Sequence, residues 1–192
     1  MLKYQIRTPI SIMQATISQV GLYALELGQF MPDLNGGPPD KSSRLKELVV
    51  PIDLVDSSIG PEYHATDRMA MVNHITGMAN QLAYDLNLYL AGEDIDFSIP
   101  LDWSSYTSFQ RRVLTVTSEI PRGTTRSYRE VAEIIGNYRA ARAVGQALRS
   151  NRVPLLVPCH RVITSQGTLG GFTGGLEWKR WLLALEGVLD LH

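Results

Sequence analysis

The sequence predicts a two-domain α+β protein: a small sheet with helices over residues 1–100, then a helical domain with a helix-turn-helix over residues 101–192. Three observations lead there. Short, partly alternating apolar runs fill the first thirty residues. A helix-turn-helix pattern, introduced by a capping box, occupies the second half. Charge also divides between the halves. The whole chain of 192 residues has a net charge of −1, but residues 1–100 carry 6 Lys+Arg against 12 Asp+Glu, and residues 101–192 carry 12 against 7. With 44% apolar residues the chain can build one or two cores.

The strands come first. Tyr4-Gln5-Ile6-Arg7-Thr8, Ile10-Ser11-Ile12-Met13, Thr16-Ile17-Ser18 and the run 21–27 alternate as half-buried strands do. Residues 32–40, with Asn35-Gly36-Gly37-Pro38-Pro39, read as a long turn-rich loop. A further strand is expected within 45–54. From Asp67 to Leu90 the apolar residues Met71, Ile75, Met78, Leu82, Leu86 and Leu90 fall at helical spacing, and Gly92 supplies a stop. Residues 96–103, with Pro100 inside, read as the linker.

The second half reads as helices. Ser104 or Ser105 is placed to cap a helix over 106–119, broken by Ile120-Pro121-Arg122-Gly123. Ser127 with Glu130 three residues on makes a capping box for a short helix, 128–135, ended by Gly136-Asn137. The next helix covers 139–149. Two short helices across a tight glycine turn form a helix-turn-helix, whose second helix usually faces nucleic acid. Residues 164–167 are a turn and 170–175 a glycine-rich loop. Residues 176–186 close the chain as a helix, with Gly187 at its C-terminus.

Composition excludes several classes. No run of 18 or more apolar residues is present, so no membrane helix is expected. The N-terminus lacks a signal-peptide pattern, so a cytoplasmic location is expected. One cysteine cannot form an internal disulfide or a multi-cysteine zinc site, so neither metal nor cofactor is expected. Eleven of the twelve cations in 101–192 are arginine, and residues 109–161 hold ten arginines against three acidic residues. Such a local excess suits an anionic partner.

The cysteine stands in Pro158-Cys159-His160-Arg161, directly after the apolar run 153–157. A thiol becomes a good nucleophile only on losing its proton, and a neighbouring imidazole or cation assists that loss. A cysteine serving only as a small core residue needs neither polar neighbour. This block resembles the active-site signature of the O6-alkylguanine-DNA alkyltransferases. Other pieces match in the family's order: Ser108-Phe109-Gln110, Ile120-Pro121-Arg122-Gly123, Ser127-Tyr128, the run Ala140-Ala141-Arg142-Ala143-Val144-Gly145, Asn151, the loop 170–176 and Leu185-Glu186-Gly187. Over the first hundred residues the match is looser, resting on the stretch 81–92.

The resemblance implies a ribonuclease-H-like first domain and a winged-helix-like second domain carrying every site residue. It implies a monomer that transfers an alkyl group irreversibly from O6-alkylguanine, and from O4-alkylthymine, in duplex DNA to Cys159. His160 would be the base, acting through a water and oriented by Glu186. Asn151 would hold the turn that carries the cysteine. The target base must leave the stack to reach a buried thiol. By the resemblance Arg142 fills the vacated space, on a helix whose small residues Ala141, Ala143 and Gly145 let it approach the minor groove. Tyr128 would contact the target's 3′ phosphate and give a proton to the departing guanine. Val157, Pro158, Val162, Phe172, Thr173 and Gly174 would line the base pocket, with the Cys159 and Val162 carbonyls facing the guanine amino group. Phe172 stands where tyrosine is common in the family, keeping the ring without the hydroxyl.

Two other readings compete. The non-catalytic alkyltransferase-like damage sensors share the C-terminal fold but replace the cysteine, and Cys159 speaks against that class. A cysteine hydrolase would also use Cys, His and Asn, but adjacent Cys-His does not make the usual distant dyad.

Overall fold

The computed structural model describes residues 1–31, 49–53 and 65–188, and the chain divides into two compact units, Met1–Asp102 and Trp103–His192. In the first unit a four-stranded antiparallel sheet has the order β3-β2-β1-β4, from β1 (Leu2–Thr8), β2 (Ser11–Ile17), β3 (Leu22–Glu26) and β4 (Val49–Asp53). Alternation works as the sequence predicts. Leu2, Tyr4 and Ile6 of β1 and Met13, Ala15 and Ile17 of β2 are buried, while Lys3, Ile12 and Gln14 face out. The helix α1 (Ala65–Leu90) brings Ile75, Ala79, Leu82, Leu86 and Leu90 into the core of this unit and packs against β1 and β2. The Tyr4 hydroxyl meets Thr76 Oγ1 at 3.1 Å. Each fully buried side chain of this size stabilises the unit by about 1.5–3 kcal/mol. Gly92, at φ 88°, ends the helix in the left-handed conformation that glycine adopts without strain.

The loop expected at 32–40 lies outside the described residues, and of the strand expected within 45–54 residues 49–53 are described and are β4. The boundary between the units falls after Asp102, slightly later than the predicted boundary after residue 100. Leu22 N–H donates to the Pro100 carbonyl, Asp102 N–H donates to the Leu22 carbonyl, and Ser18 Oγ donates to Asp102 Oδ2 at 2.6 Å. These bonds tie residues 100–102 to the β3 edge, so they belong to the first unit.

The second unit holds four helices among the described residues: α2 (Ser108–Ser118), α3 (Tyr128–Ile134), α4 (Ala141–Arg149) and α5 (Leu176–Leu185). Thr107 caps α2, not Ser104 or Ser105. Its hydroxyl accepts from Gln110 N–H, and the Gln110 side chain accepts from Thr107 N–H. Neither serine has a Glu or Gln three residues on, so neither can complete that reciprocal pair. The predicted box at Ser127 and Glu130 is present, with bonds of 2.6 and 3.1 Å. The second helix of the helix-turn-helix begins at Ala141 instead of residue 139. Tyr138 and Arg139 lie in the turn, the guanidinium 5.3 Å from the tyrosine ring centroid, and Ala140 N–H donates to Asn137.

Two short strands place the site. β5 (Arg126–Ser127) pairs in parallel with β6 (Val162–Ile163), so the start of α3 lies beside the chain leaving Cys159. No helix of the described residues is long and apolar enough to cross a membrane.

Candidate active site

The apolar run before the cysteine folds into a closed loop. Val157 N–H donates to the Val153 carbonyl at 3.0 Å, and Leu155 adopts φ 74°. A non-glycine residue there costs about 1–3 kcal/mol, so its surroundings must hold it. Burial of Leu155 anchors one side of the loop and Asn151 clamps the other. Asn151 Oδ1 accepts from Val153 N–H at 3.1 Å, and its Nδ2 donates to the Val157 carbonyl at 2.9 Å and to Cys159 Sγ at 3.1 Å. One buried amide thus fixes the loop and touches the sulfur.

Cys159 opens a single 3-10 turn, Cys159–Arg161, and is 6% exposed. Burial pushes its thiol above the ordinary value, while the Asn151 hydrogen bond and the charge of Lys179 pull it down. His160 is fully buried behind it. Its Nε2 lies 3.0 Å from Glu186 Oε1, and neither side chain has exposed surface. Burial drives the imidazole below its ordinary value, against the opposing pull of Glu186 and with the help of Arg161 and Lys179. Arg161 forks onto the same carboxylate, Nε to Oε2 at 3.0 Å and Nη2 to Oε1 at 2.8 Å, and its Nη1 donates to the Ile120 carbonyl. The carboxylate sits where α5 ends. Arg122 holds that end through the Leu185 carbonyl at 3.2 Å.

In front of the sulfur is a cavity of about 520 Å³. One wall is α4, with Arg142, Gly145, Gln146 and Arg149. The opposite wall is the loop Gly171, Phe172 and Thr173, and Tyr128 stands between. The Tyr128 ring packs on two glycines, and its hydroxyl fits because one of them, Gly170, lacks a side chain. A Cβ on Gly145 would lie 3.7 Å from the ring, and one on Gly170, at φ 65°, would lie 2.8 Å from the hydroxyl. Burial raises the Tyr128 hydroxyl above its ordinary value, opposed by a hydrogen bond from the Gly171 backbone. The Phe172 ring meets the His160 imidazole edge to face, centroids 6.3 Å apart.

These features stand beside comparisons with known proteins. Residues 108–188 match the family model of the 6-O-methylguanine DNA methyltransferase DNA binding domain. The chain is 45% identical to the methylated-DNA–protein-cysteine methyltransferase of Methanothermobacter thermautotrophicus over 56% of its own length and 61% of that protein. Its match to the Kluyveromyces lactis protein of the same name is 32% identical over 80% of this chain and 82% of the other. The chain belongs to this methyltransferase family. A solved structure of the Mycobacterium tuberculosis OGT in complex with DNA is similar at TM-score 0.64 and 34% identity, covering 95% of this chain and 91% of that one. The matched region spans about three-fifths of the first of these relatives.

In this member of the methyltransferase family, the Asn151–Cys159 and His160–Glu186 hydrogen-bonded pairs are joined through the Cys159–His160 peptide bond, with Tyr128 and Arg142 on the cavity in front of the sulfur. Arg142 and Ala143 are exposed on α4, Ala141 and Gly145 half-exposed. Of the six expected lining residues, Phe172 and Thr173 border the cavity. Val157, Pro158 and Val162 are buried and Gly174 is half-buried, and these four stand back from the cavity wall. The Val157 carbonyl accepts from Asn151 and from Cys159 N–H, and the Val162 carbonyl from Lys179. Gly171, in the glycine-rich loop, also borders the cavity, and Gln146, Leu148 and Arg149 join the lining without having been foreseen. Lys179 was also missed: nothing in a local pattern marks a lysine on α5 as fully buried. Among the described residues no three His, Cys, Asp or Glu are grouped to hold a metal.

Proposed function

We propose that the protein repairs duplex DNA by moving the alkyl group of O6-alkylguanine, and of O4-alkylthymine, onto Cys159 in a single irreversible turnover. The observation that carries this reading is the position of the chain's one thiol, at the floor of a cavity between the Arg142 helix and the glycine loop, with a buried His160–Glu186 pair behind it.

The chemistry follows from the groups in place. Glu186 offers only acceptors, so the proton of a neutral His160 sits on Nε2, leaving the Nδ1 lone pair to act as base. Burial keeps the imidazole neutral, the form a base must have. The thiol proton passes to His160, through a water, and Glu186 stabilises the imidazolium. The thiolate attacks the alkyl carbon, a C–S bond forms, and the C–O6 bond breaks with its electron pair going to the guanine. Tyr128 keeps its hydroxyl proton and gives it to that leaving base. Nothing in this sequence restores the thiol, so one molecule repairs one lesion. Arg142 occupies the stack left by the flipped base, and the exposed arginines of the second unit hold the phosphates of a DNA partner bound by a monomer. Such a protein works in the cytoplasm at the nucleoid, or in the nucleus of a eukaryote.

The test is incubation with duplex DNA carrying a radiolabelled O6-methylguanine. Label is expected on the wild-type protein and not on Cys159→Ser. Equal labelling of both would place the acceptor elsewhere.

A further inference from the structure

Lys179 is the one lysine in residues 101–192, among eleven arginines, and the one lysine or arginine that is buried among the described residues. It projects from α5 with no exposed surface. Its Nζ donates to the Val162 carbonyl at 2.6 Å and to the Gly171 carbonyl at 3.3 Å. Val162 is on the strand leaving Cys159, and Gly171 is on the loop that walls the cavity. One ammonium therefore bolts the cavity loop to the strand that leaves the nucleophile. Burying a charge is costly unless it is used. A tie between two carbonyls needs a donor, which a neutral polar side chain also supplies.

The proposed reaction forms a thiolate in a buried place. Its base is a neutral imidazole, and burial disfavours the thiolate. Asn151 gives the sulfur one hydrogen bond, and a fixed positive charge near the sulfur favours the thiolate further. The charged and titratable groups around the pair are His160 and Arg161 on the 3-10 turn, Glu186 at the end of α5, Tyr128 on α3 and Arg149 on α4. Arg161 is committed to the Glu186 carboxylate. Arg149 is exposed at the cavity rim.

We infer that Lys179 is a positioning residue whose buried ammonium stabilises the Cys159 thiolate while holding the Gly171 loop to the strand that leaves the nucleophile. This rests on the alkyl-transfer reading above. The coupling runs both ways: the lysine charge lowers the thiol, and burial lowers the lysine to about 8 against the opposing pull of the thiolate. A lysine can answer the thiolate in this way because, unlike arginine, it titrates near the working range.

The test uses the full chain. The ultraviolet absorbance of the thiolate is followed against pH in wild type and Lys179→Met, with Cys159→Ser as the blank. Transfer rates are measured on free O6-benzylguanine and on O6-methylguanine duplex. The thiolate midpoint is expected to rise by at least about one pH unit in Lys179→Met, with transfer at neutral pH slowing about tenfold on both substrates. Slower transfer with an unmoved midpoint would make Lys179 a loop tie only and overturn the inference. A second measurement needs no variant: the lysine side chain is titrated by NMR in wild type before and after Cys159 is methylated. Removing the thiolate is expected to lower the Lys179 midpoint, and no change would overturn the coupling. If wild type does not accept the methyl group at all, the alkyl-transfer reading fails instead.

Discussion

Asn151→Ala removes three contacts from one place. Val153 N–H loses its acceptor, the Val157 carbonyl keeps only the Cys159 amide, and the sulfur loses its amide donor. A buried backbone donor left without a partner costs about 1–3 kcal/mol, and the weakened carbonyl adds up to about 1 kcal/mol. The clamp also holds Leu155 at its positive φ, so some of that strain relaxes by opening the loop. The second unit is therefore expected to lose about 2–4 kcal/mol, with a fall in Tm of roughly 4–8 °C per kcal/mol for a unit of this size. Thiol reactivity falls as well, because the donor that favours the thiolate is gone. Asn151→Asp separates the effects. It keeps the acceptor for Val153 N–H but sets a negative charge against the sulfur, so it should unfold at a higher temperature than Asn151→Ala and transfer more slowly. Thermal unfolding and single-turnover transfer to free O6-benzylguanine measure the two quantities. If Asn151→Ala melts and reacts like wild type, the clamp argument is wrong.

Further predictions concern each side of the cavity. Arg142→Ala should slow transfer from duplex DNA far more than transfer from free O6-benzylguanine, which needs no flipping; equal losses would assign Arg142 to the pocket or the fold. Gly170→Ala sets a Cβ against the Tyr128 hydroxyl and an alanine at φ 65°, so about 1–3 kcal/mol of stability and much of the duplex rate should be lost, and a crystal structure with Tyr128 unmoved would count against this reasoning. His160 is held below its ordinary value of 6.5, so the unfolded chain binds the extra proton first. Its contribution is complete above about that pH and is lost as pH falls through the lower folded value. Denaturant unfolding at a series of pH values should show this decline in wild type and less of it in His160→Gln.

How much of this was legible depends on how local each cause is. The β1 and β2 alternation and the Ser127–Glu130 box act within a few residues, so the sequence carries them openly. The Thr107–Gln110 box is written just as openly, but Ser104 and Ser105 are equally good cap types and drew the helix start forward. The α4 start was misplaced because nothing in Asn137-Tyr138-Arg139 breaks a helix by propensity; the turn is stabilised by packing of the pair on itself. Cys159, His160 and Asn151 were found through their motif. Lys179 was not, because it lies in a run where buried Trp178 alternates with exposed Glu177 and Arg180, and its charged end is held by Val162 and Gly171, 17 and 8 residues away. That Arg161 pairs with a carboxylate or backbone carbonyls is readable from the sequence, but which carboxylate is not, because the fork closes over 25 residues.

The central claim is that one thiol accepts one alkyl group and is spent. Intact-mass measurement after incubation with excess O6-methylguanine duplex, followed by peptide mapping, tests it directly. Every chain should gain one methyl in place of one hydrogen, on the peptide containing Cys159, and a second addition of substrate should change nothing. Continued demethylation of fresh DNA by the modified protein, or a methyl found on any other residue, would contradict the account.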